Sequence, residues 1–312
     1  MTPAAEKAQG LQGLERKNFP MARISTWGVG GAAKLLFSPA DADGLLAFMS
    51  GKKRGEVLFV GHGSNLLVRD GGIDGVVVRT APGLSQMNDV GGGEVYAEAG
   101  VACPKFARFC ARAHLTGAEF FVGVPGTIGG ALAMNAGCYG YETWDAVSKV
   151  RALINDGEDG GGFVELPREA FDIGYRSCSY ARGQSGITFI GAWFKFAEDK
   201  EGRAPATMKE MLQKRAASQP LGAASAGSVF RNPPGGYAGK LIAECGLAKM
   251  HIGGAQVSDK HCNFIINRGD ASAADIEELI CKVREEVRAK TGVELQPEVR
   301  IVGSRLSGGE GV

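Results

Sequence analysis

The chain has 312 residues, which is long enough for two or three domains. Its 35 basic and 34 acidic side chains nearly cancel, which argues against a surface for nucleic acid or an anionic membrane. The seven cysteines include no CxxC pair, so free thiols in a reducing compartment are expected. Residues 1–18 lack the apolar segment of a signal peptide, and no later apolar run reaches about 20 residues. We therefore expect a cytoplasmic protein that neither inserts into membranes nor binds nucleic acid.

The first eighty residues have the pattern of a βαββ unit. Residues 1–20 are polar and are expected to form a mobile lead with one short helix over residues 11–17. The elements expected after it are a strand over residues 34–37, a helix over residues 41–50 capped by Ser38, a strand over residues 57–60, and strands over residues 66–69 and 76–79. The last two are expected to pair through the turn Asp70-Gly71-Gly72.

Strands dominate residues 80–200, and helices become longer after residue 200. The expected strands are 95–99, 146–154, 163–166, 188–196, 263–267 and 299–302, and the expected helices are 102–113, 208–218, 241–245 and 272–291. Pro104 is tolerated in the first turn of its helix. Ser272 and Asp275 resemble a capping box, and Gly292 ends that helix. The acidic loop from Gly157 to Gly162 is expected to be a solvated turn, and no metal site is expected.

Two glycine-rich segments are candidates for binding an anion through the backbone. One covers residues 61–65 after a strand, and the other covers residues 122–137. Glycine lets a ligand approach the main chain closely, and exposed N–H groups with a helix starting near Thr127 would suit a diphosphate. Two purely structural turns explain the spacing equally well. Neither segment has the Walker lysine or a GxGxxG that opens a helix, which disfavours P-loop and Rossmann folds.

Five separated segments carry a resemblance to a known family. They are residues 63–72, residues 124–131 with 134–137, residues 174–177, residues 226–233 and residues 297–303. They resemble, in the same order, segments of the UDP-N-acetylenolpyruvoylglucosamine reductases, and the similarity extends over residues 20–303. The interval between Arg176 and Ser228 is too short for the tyrosine-bearing loop of one subgroup. The sequence is therefore similar to the loopless (type II) subgroup.

The resemblance implies an α+β fold. It consists of a two-part FAD-binding fold of the PCMH type, shared with the vanillyl-alcohol oxidases, and a C-terminal α/β substrate-binding domain. The boundaries expected on this basis are a lead over residues 1–20, a first FAD-binding part over 21–79, a second over 80–200 with 297–305, a substrate-binding domain over 201–296, and a disordered tail over 306–312.

The resemblance also implies a non-covalently bound FAD. The residues expected to hold it are Val60, Gly61, His62, Gly63, Ser64, Asn65, Leu66, Val124, Pro125, Gly126, Thr127, Ile128, Gly129, Gly130, Asn135, Ala136 and Gly137. His62 lies in a loop where related oxidases carry a flavin-linking histidine. The reductases do not depend on such a link, so His62 is expected only to line the turn.

The family's reaction is a two-step hydride relay. NADPH reduces FAD and leaves, and UDP-N-acetylglucosamine enolpyruvate then takes a hydride and a proton to give UDP-N-acetylmuramate, a peptidoglycan precursor. By resemblance, Ser228 is the proton donor, and Arg176 and Glu298 lie at the substrate carboxylate. Arginine offers a permanently charged fork of donors, and a glutamate facing a carboxylate is expected to have a raised pKa and to donate a hydrogen bond.

Each catalytic candidate also has a structural interpretation. In isolation, Arg176 suits a surface ion pair, Ser228 a turn, and Glu298 an exposed carboxylate. The resemblance reverses these preferences. It further suggests Tyr139, Asn232, Lys260, His261 and Arg300 as substrate-binding residues, although a structural histidine is an equal interpretation of His261.

The leading hypothesis is therefore an FAD-dependent, NADPH-using reductase that acts as a monomer. Two alternatives from other classes are an oxidase of the wider flavin fold and a non-catalytic nucleotide-binding module. Neither needs a proton donor together with an arginine and a glutamate at these positions, so Arg176, Ser228 and Glu298 distinguish the reductase from both.

Overall fold

The computed structural model describes residues 12–50, 56–154, 161–181 and 187–306. Its strands are β1 (Gly13–Pro20), β2 (Ala32–Pro39), β3 (Val57–Val60), β4 (Leu66–Val68), β5 (Ile73–Arg79), β6 (Met87–Gly91), β7 (Glu94–Glu98), β8 (Leu115–Thr116), β9 (Gly137–Cys138), β10 (Tyr141–Glu142), β11 (Val147–Ile154), β12 (Gly162–Pro167), β13 (Phe171–Gly174), β14 (Ser177–Tyr180), β15 (Ile187–Lys195), β16 (Ala197–Glu198), β17 (His251–Ile252), β18 (Ala255–Val257), β19 (Ile265–Asn267) and β20 (Arg300–Val302). Its helices are α1 (Ala42–Met49), α2 (Cys103–Arg112), α3 (Ile128–Met134), α4 (Ala204–Ser218), α5 (Ala238–Glu244) and α6 (Ala273–Thr291).

The described residues form two compact units. The first contains residues from 1–16, 35–61 and 76–215, and the second contains residues from 17–34, 62–75 and 216–312. Described strands of the first unit form an antiparallel sheet in the order β12-β11-β15-β7-β6. In the second unit, β17, β18 and β19 form a small antiparallel sheet, and β20 lies parallel to β4.

The core of the first unit is rich in aromatic rings, which α2 and the five-stranded sheet both contribute. Phe106 is fully buried and lies 5.2 Å from Phe121 and 4.8 Å from Phe194, measured between ring centroids. The buried side of α3 adds Ile128 and Leu132 to the same cluster. The start of α3 is thus anchored by apolar side chains on one face, which fixes the position of the glycine-rich segment.

The core of the second unit is built on α6. Its predicted apolar stripe is buried and consists of Ile276, Leu279, Ile280, Val283 and Val287. The predicted capping box is confirmed, since the Ser272 side chain accepts from the Asp275 N–H and the Asp275 side chain accepts from the Ser272 N–H. Gly292 ends the helix in the left-handed conformation, as predicted. Helix boundaries of this kind depend on local chemistry.

Two predictions near the N-terminus are wrong. The helix expected over residues 11–17 is the strand β1, because the polar segment hydrogen-bonds beside β2 at the edge of a four-stranded sheet with the order β1-β2-β5-β3. Ser38 does not cap α1, because it remains within β2. Asp41 caps α1 instead, and its carboxylate accepts from the Gly44 N–H at 2.8 Å.

The expected pairing of β4 with β5 is also wrong. Strand β5 runs parallel to β3, and β4 runs parallel to β20, so that Leu67 lies opposite Ile301. The turn Asp70-Gly71-Gly72 therefore does not close a hairpin. The Asp70 carboxylate instead accepts from the N–H groups of Ala273 and Ala274 at the start of α6.

The three-part division expected from the sequence stays a prediction. The two compact units are defined by contacts between residues. They do not show which part of the chain binds the cofactor and which part binds the substrate. The loop predicted from Gly157 to Gly162 lies mostly outside the described residues, as do residues 307–312 of the predicted tail.

Candidate active site

In the glycine-rich segment of the first unit, some of the backbone N–H groups expected to bind an anion lie at the start of α3. These groups donate hydrogen bonds within the protein. The Ile128 N–H donates to the Val101 carbonyl and the Gly129 N–H donates to the Ala99 carbonyl, each at 2.9 Å. A Cβ on Gly129 would lie 2.8 Å from the Ala99 Cβ. Two of the first N–H groups of the helix thus hold the segment in place and are not available to an anion, contrary to the expectation from sequence.

Thr127, which precedes α3, carries a buried hydroxyl group. The residue is 2% exposed, and its Oγ1 has no hydrogen-bond partner among the described residues. A Cβ on Gly61 would lie 2.2 Å from that Oγ1, so glycine is required there for the approach of Thr127. A Cβ on Gly130 would meet only the same Oγ1, at 3.9 Å. A buried polar atom without a partner beside open space fits a cofactor with polar phosphate oxygens.

Tyr139 accounts for another glycine of the segment. A Cβ on Gly123 would lie 2.8 Å from the Tyr139 ring, and Arg215 donates to the Gly123 carbonyl. The Tyr139 hydroxyl donates to the Met211 carbonyl of α4 at 2.7 Å, and burial raises the pKa of this tyrosine. At Gly61, Gly123 and Gly129, the close neighbour is therefore a protein atom. Glycine at these three positions is explained by packing, without a ligand.

Asn135 organises the end of α3. It is fully buried and adopts a positive φ of 40°. Its amide nitrogen donates to Glu142 at 2.7 Å and to the Gly174 carbonyl at 3.1 Å, and its amide oxygen accepts from the Trp144 N–H at 3.2 Å. Asn135 was predicted to bind the cofactor, but its side chain is occupied by the protein.

Arg176 lies against this same segment. It occupies the tight turn between β13 and β14 with a φ of 53°. Its guanidinium group donates to the carbonyls of Gly137 at 2.8 Å and Asn135 at 3.3 Å, and one nitrogen lies 3.9 Å from a carboxylate oxygen of Glu142. The side chain is only 16% exposed. The structure thus brings a predicted catalytic arginine to the predicted cofactor segment, 39 residues earlier in the chain.

The second unit contains most of the other glycine turn. Gly63 has a φ of 64°, and a Cβ there would lie 2.7 Å from the Ile24 carbonyl oxygen. Within the described residues, the N–H groups of Ser64 and Asn65 donate to no acceptor. Two neighbouring backbone donors of this kind can bind an anion. Binding of an anion at this part of the turn stays a prediction.

Asn65 also connects this turn to the candidate catalytic glutamate. Its side-chain nitrogen donates to the Glu298 carbonyl at 3.1 Å, and its own carbonyl accepts from the Arg300 N–H at 3.0 Å. Asn65 was predicted as a cofactor residue. Its side chain also holds the backbone of Glu298, a contact that the sequence did not reveal.

Ser228 and Glu298 lie on adjacent backbone segments. The Glu298 N–H donates to the Val229 carbonyl at 2.7 Å, and the Arg231 N–H donates to the Gln296 carbonyl at 2.9 Å. Val229 and Phe230 are buried in the core of the second unit. Although 70 positions apart in sequence, the two predicted catalytic residues are brought together by this antiparallel contact.

Asn263 supports the segment that carries Ser228 and was not recognised from the sequence as a site residue. It is 3% exposed. Its side chain accepts from the Phe230 N–H at 2.9 Å and donates to the Phe230 carbonyl at 2.8 Å, while its carbonyl accepts from the Val229 N–H at 2.8 Å. An asparagine beside an apolar run could have indicated a buried hydrogen-bonded side chain, but its partner could not be inferred.

The predicted substrate-binding residues of the second unit have varied surroundings. The Asn232 side chain accepts from the Ala238 N–H at the start of α5, at 3.1 Å. Lys260 donates to the Ala216 carbonyl at 2.6 Å, and Arg300 is exposed on β20. Burial lowers the pKa of His261, which favours a neutral imidazole at pH 7, and its Nδ1 has no partner among the described residues. A neutral ring would not form a charged contact with a phosphate group of the substrate.

The remaining predicted cofactor residues fall into two groups. Four are buried apolar side chains, which leaves the backbone as their polar surface: Val60, Leu66, Val124 and Ile128. The others are partly or fully exposed: His62, Pro125, Gly126, Ala136 and Gly137.

All seven cysteines are free thiols, as expected. No cluster of three metal-ligating side chains occurs among the described residues. Over the same part of the chain, every helix is too short or too polar to cross a membrane.

A family match within the first part of the chain indicates the class of protein. Residues 33–158 match the FAD binding domain family, and this range includes β3, the Gly61 turn and the segment at α3. The chain is therefore a flavoprotein of the FAD binding domain class.

More specific matches cover nearly the whole chain. Residues 219–302 match the family described as UDP-N-acetylenolpyruvoylglucosamine reductase, C-terminal domain. The UDP-N-acetylenolpyruvoylglucosamine reductases of Methylococcus capsulatus and Alkalilimnicola ehrlichii are 46% and 47% identical to it. The matches cover 96% and 92% of this chain and 97% and 94% of those proteins. The crystal structure of UDP-N-acetylenolpyruvylglucosamine reductase (MurB) from Thermus caldophilus aligns with a TM-score of 0.78 at 31% identity, over 96% of this chain and 99% of that one. The chain belongs to the UDP-N-acetylenolpyruvoylglucosamine reductase family.

Proposed function

We propose that this protein reduces UDP-N-acetylglucosamine enolpyruvate to UDP-N-acetylmuramate, with NADPH as hydride donor, in the synthesis of peptidoglycan precursors. The observation that carries the proposal is the contact between the segments of Ser228 and Glu298 in a member of this family. FAD, when bound, supplies a two-electron carrier that accepts hydride from NADPH and passes it to the alkene. The protein itself binds and orients the substrate and delivers a proton to it.

Ser228 is proposed to deliver that proton. Addition of hydride to the alkene carbon distal to the carboxylate places negative charge on the neighbouring carbon. Transfer of the Oγ proton of Ser228 to that carbon completes the reduction, and the serine oxygen recovers a proton from water. Serine is a weak acid, but a carbanion is a strong enough base to take its proton.

Arg176 and Glu298 are proposed to bind the substrate carboxylate as its charge increases. A guanidinium group stays protonated and can donate more than one hydrogen bond. It is nearly buried here, which strengthens its electrostatic effect. A protonated Glu298 would add a hydrogen bond without repulsion, so a raised pKa for this residue is part of the proposal.

Each glycine segment is proposed, by itself, to offer backbone or hydroxyl donors that suit the cofactor. Support comes from the Thr127 hydroxyl, which has no partner among the described residues, and from the N–H groups of Ser64 and Asn65. The open space at Gly130 is consistent with close approach. The other predicted cofactor and substrate residues remain proposals on the strength of the resemblance.

The protein is further proposed to be a cytoplasmic monomer of the loopless subgroup. The interval between Arg176 and Ser228 contains β14, β15, β16 and α4 in its described part, which leaves little chain for an additional loop.

The purified protein provides a direct test. We expect flavin absorbance after incubation with FAD, and NADPH oxidation that depends on UDP-N-acetylglucosamine enolpyruvate and yields UDP-N-acetylmuramate. Oxygen consumption serves as the control for an oxidase. A protein that takes up no FAD, or that oxidises NADPH at the same rate without the sugar nucleotide, would contradict the proposal.

A further inference from the structure

The segment that carries Ser228 has little regular structure of its own. Residues 226–232 belong to no strand or helix, and Phe230 forms only an isolated bridge with Pro297. Gly227, just before the serine, has a φ of 75°. The position of Ser228 therefore depends on a small number of specific contacts.

Asn263 provides three of those contacts. Its side-chain amide holds both the N–H and the carbonyl of Phe230, at 2.9 and 2.8 Å, and its backbone carbonyl holds the Val229 N–H at 2.8 Å. An amide side chain is suited to this because it has an acceptor and a donor side by side. These hydrogen bonds are buried, where they are strong and where an unpaired group is costly.

Val229, which Asn263 holds, also contacts the segment that carries Glu298. The Val229 carbonyl accepts from the Glu298 N–H at 2.7 Å. Val229, which Asn263 holds and which follows Ser228 directly, is therefore also hydrogen-bonded to Glu298.

We propose that Asn263 is a positioning residue for proton delivery by Ser228. This inference rests on the proposed function. A displacement of Ser228 by about 1 Å would leave flavin reduction by NADPH intact but slow the step that uses the serine proton, since misplacement on this scale can cost about 100-fold in rate.

A matched pair of variants separates positioning from general stability. Asn263→Asp keeps the size and the acceptor but removes the donor to the Phe230 carbonyl. Asn267→Asp makes the same chemical change in the same unit, where the amide donates to the Trp27 carbonyl at 2.9 Å and accepts from the Gly269 N–H at 2.8 Å. Asn267 makes no hydrogen bond to residues 228–231 among the described contacts.

The two half-reactions are measured by stopped flow on the FAD-loaded protein. For Asn263→Asp we expect flavin reduction by NADPH within about twofold of the wild type. We expect reoxidation by UDP-N-acetylglucosamine enolpyruvate to be slower by about 10- to 100-fold, with a larger solvent deuterium isotope effect because proton delivery limits the rate. Asn267→Asp should change neither the reoxidation rate by more than about twofold nor the isotope effect. A structural loss alone would reduce the amount of active protein without changing the isotope effect.

Several outcomes would overturn the inference. It fails if Asn263→Asp reoxidises at the wild-type rate, or if both asparagine variants slow the two half-reactions equally. Should Asn263→Asp not bind FAD, Asn263→Ser is measured in its place, and failure of both to bind FAD assigns Asn263 a purely structural role. The proposed function has a separate test, because it fails only if the wild type or its reduced flavin does not react with the sugar nucleotide.

Discussion

Thr127 allows a test in which two measurements should move in opposite directions. Its buried Oγ1 has no partner among the described residues, and an unpaired buried hydroxyl costs about 1–3 kcal/mol. Thr127→Val removes the hydroxyl and keeps a similar shape. We expect the apoprotein to gain about 1 kcal/mol in free energy of unfolding. FAD should bind roughly 2- to 10-fold more weakly, since a hydrogen bond worth about 0.5–1.5 kcal/mol is lost.

A second threonine of the same unit serves as the control. Thr143 is fully buried, but its hydroxyl donates to the Ala136 carbonyl at 2.6 Å. Thr143→Val should therefore destabilise the apoprotein, by about 1 kcal/mol or more. Denaturant unfolding of the apoproteins gives the stabilities, and quenching of flavin fluorescence gives the FAD affinity. Suppose that Thr127→Val destabilised the apoprotein as Thr143→Val does and left FAD affinity unchanged. That result would contradict a hydrogen bond between the Thr127 hydroxyl and FAD.

Three further predictions concern catalysis and acid stability. In Ser228→Ala, NADPH should still bleach the flavin while UDP-N-acetylmuramate formation falls by at least about 100-fold, measured by absorbance and product analysis; normal turnover would exclude this serine as the donor. Arg176→Lys loses the planar fork that spans two carbonyls, so flavin reoxidation by the sugar nucleotide should slow by about 10- to 1,000-fold with FAD still bound; an unchanged rate would reject the role. The pKa of Glu277 is lowered, chiefly by the hydrogen bond from Arg69 at 2.8 Å. Its stabilising contribution is therefore present above the unfolded carboxyl pKa near 4.5 and is lost as the pH falls through the lower folded pKa. Glu277→Gln should cost about 1–3 kcal/mol at pH 7 and flatten the decline in stability below pH 4.5, as followed by unfolding at several pH values; a wild-type acid profile would contradict it.

The sequence predicted the regular elements best where the deciding chemistry is local. The capping box of α6, its apolar stripe and its terminal glycine lie within a few turns of each other, and all were confirmed. Pro104 near the start of α2 is a similar case. By contrast, Ser38 was predicted to cap α1, but β2 continues through Ser38 and Asp41 caps the helix instead.

The candidate site was predicted from the sequence by resemblance and not by physical pattern. Arg176, Ser228 and Glu298 each had an ordinary structural interpretation on their own. The sequence pattern did not reveal which residues hold the segment of Ser228 in place. Asn263 does so through a hydrogen bond to Phe230, 33 residues away in sequence. Asn135, expected at the cofactor, is occupied by Glu142, Gly174 and Trp144.

The sequence alone thus identified the family and predicted most of the longer helices, because caps, periodicity and motifs act over short distances, and the reactive side chains stay a prediction from resemblance. Tertiary structure decided which strands pair and why particular glycines are needed. Strand β4 pairs with a strand more than 200 residues later, and Gly61 is required by the side chain of Thr127, far along the chain. Such contacts depend on which surfaces meet after folding, and no local spacing encodes them.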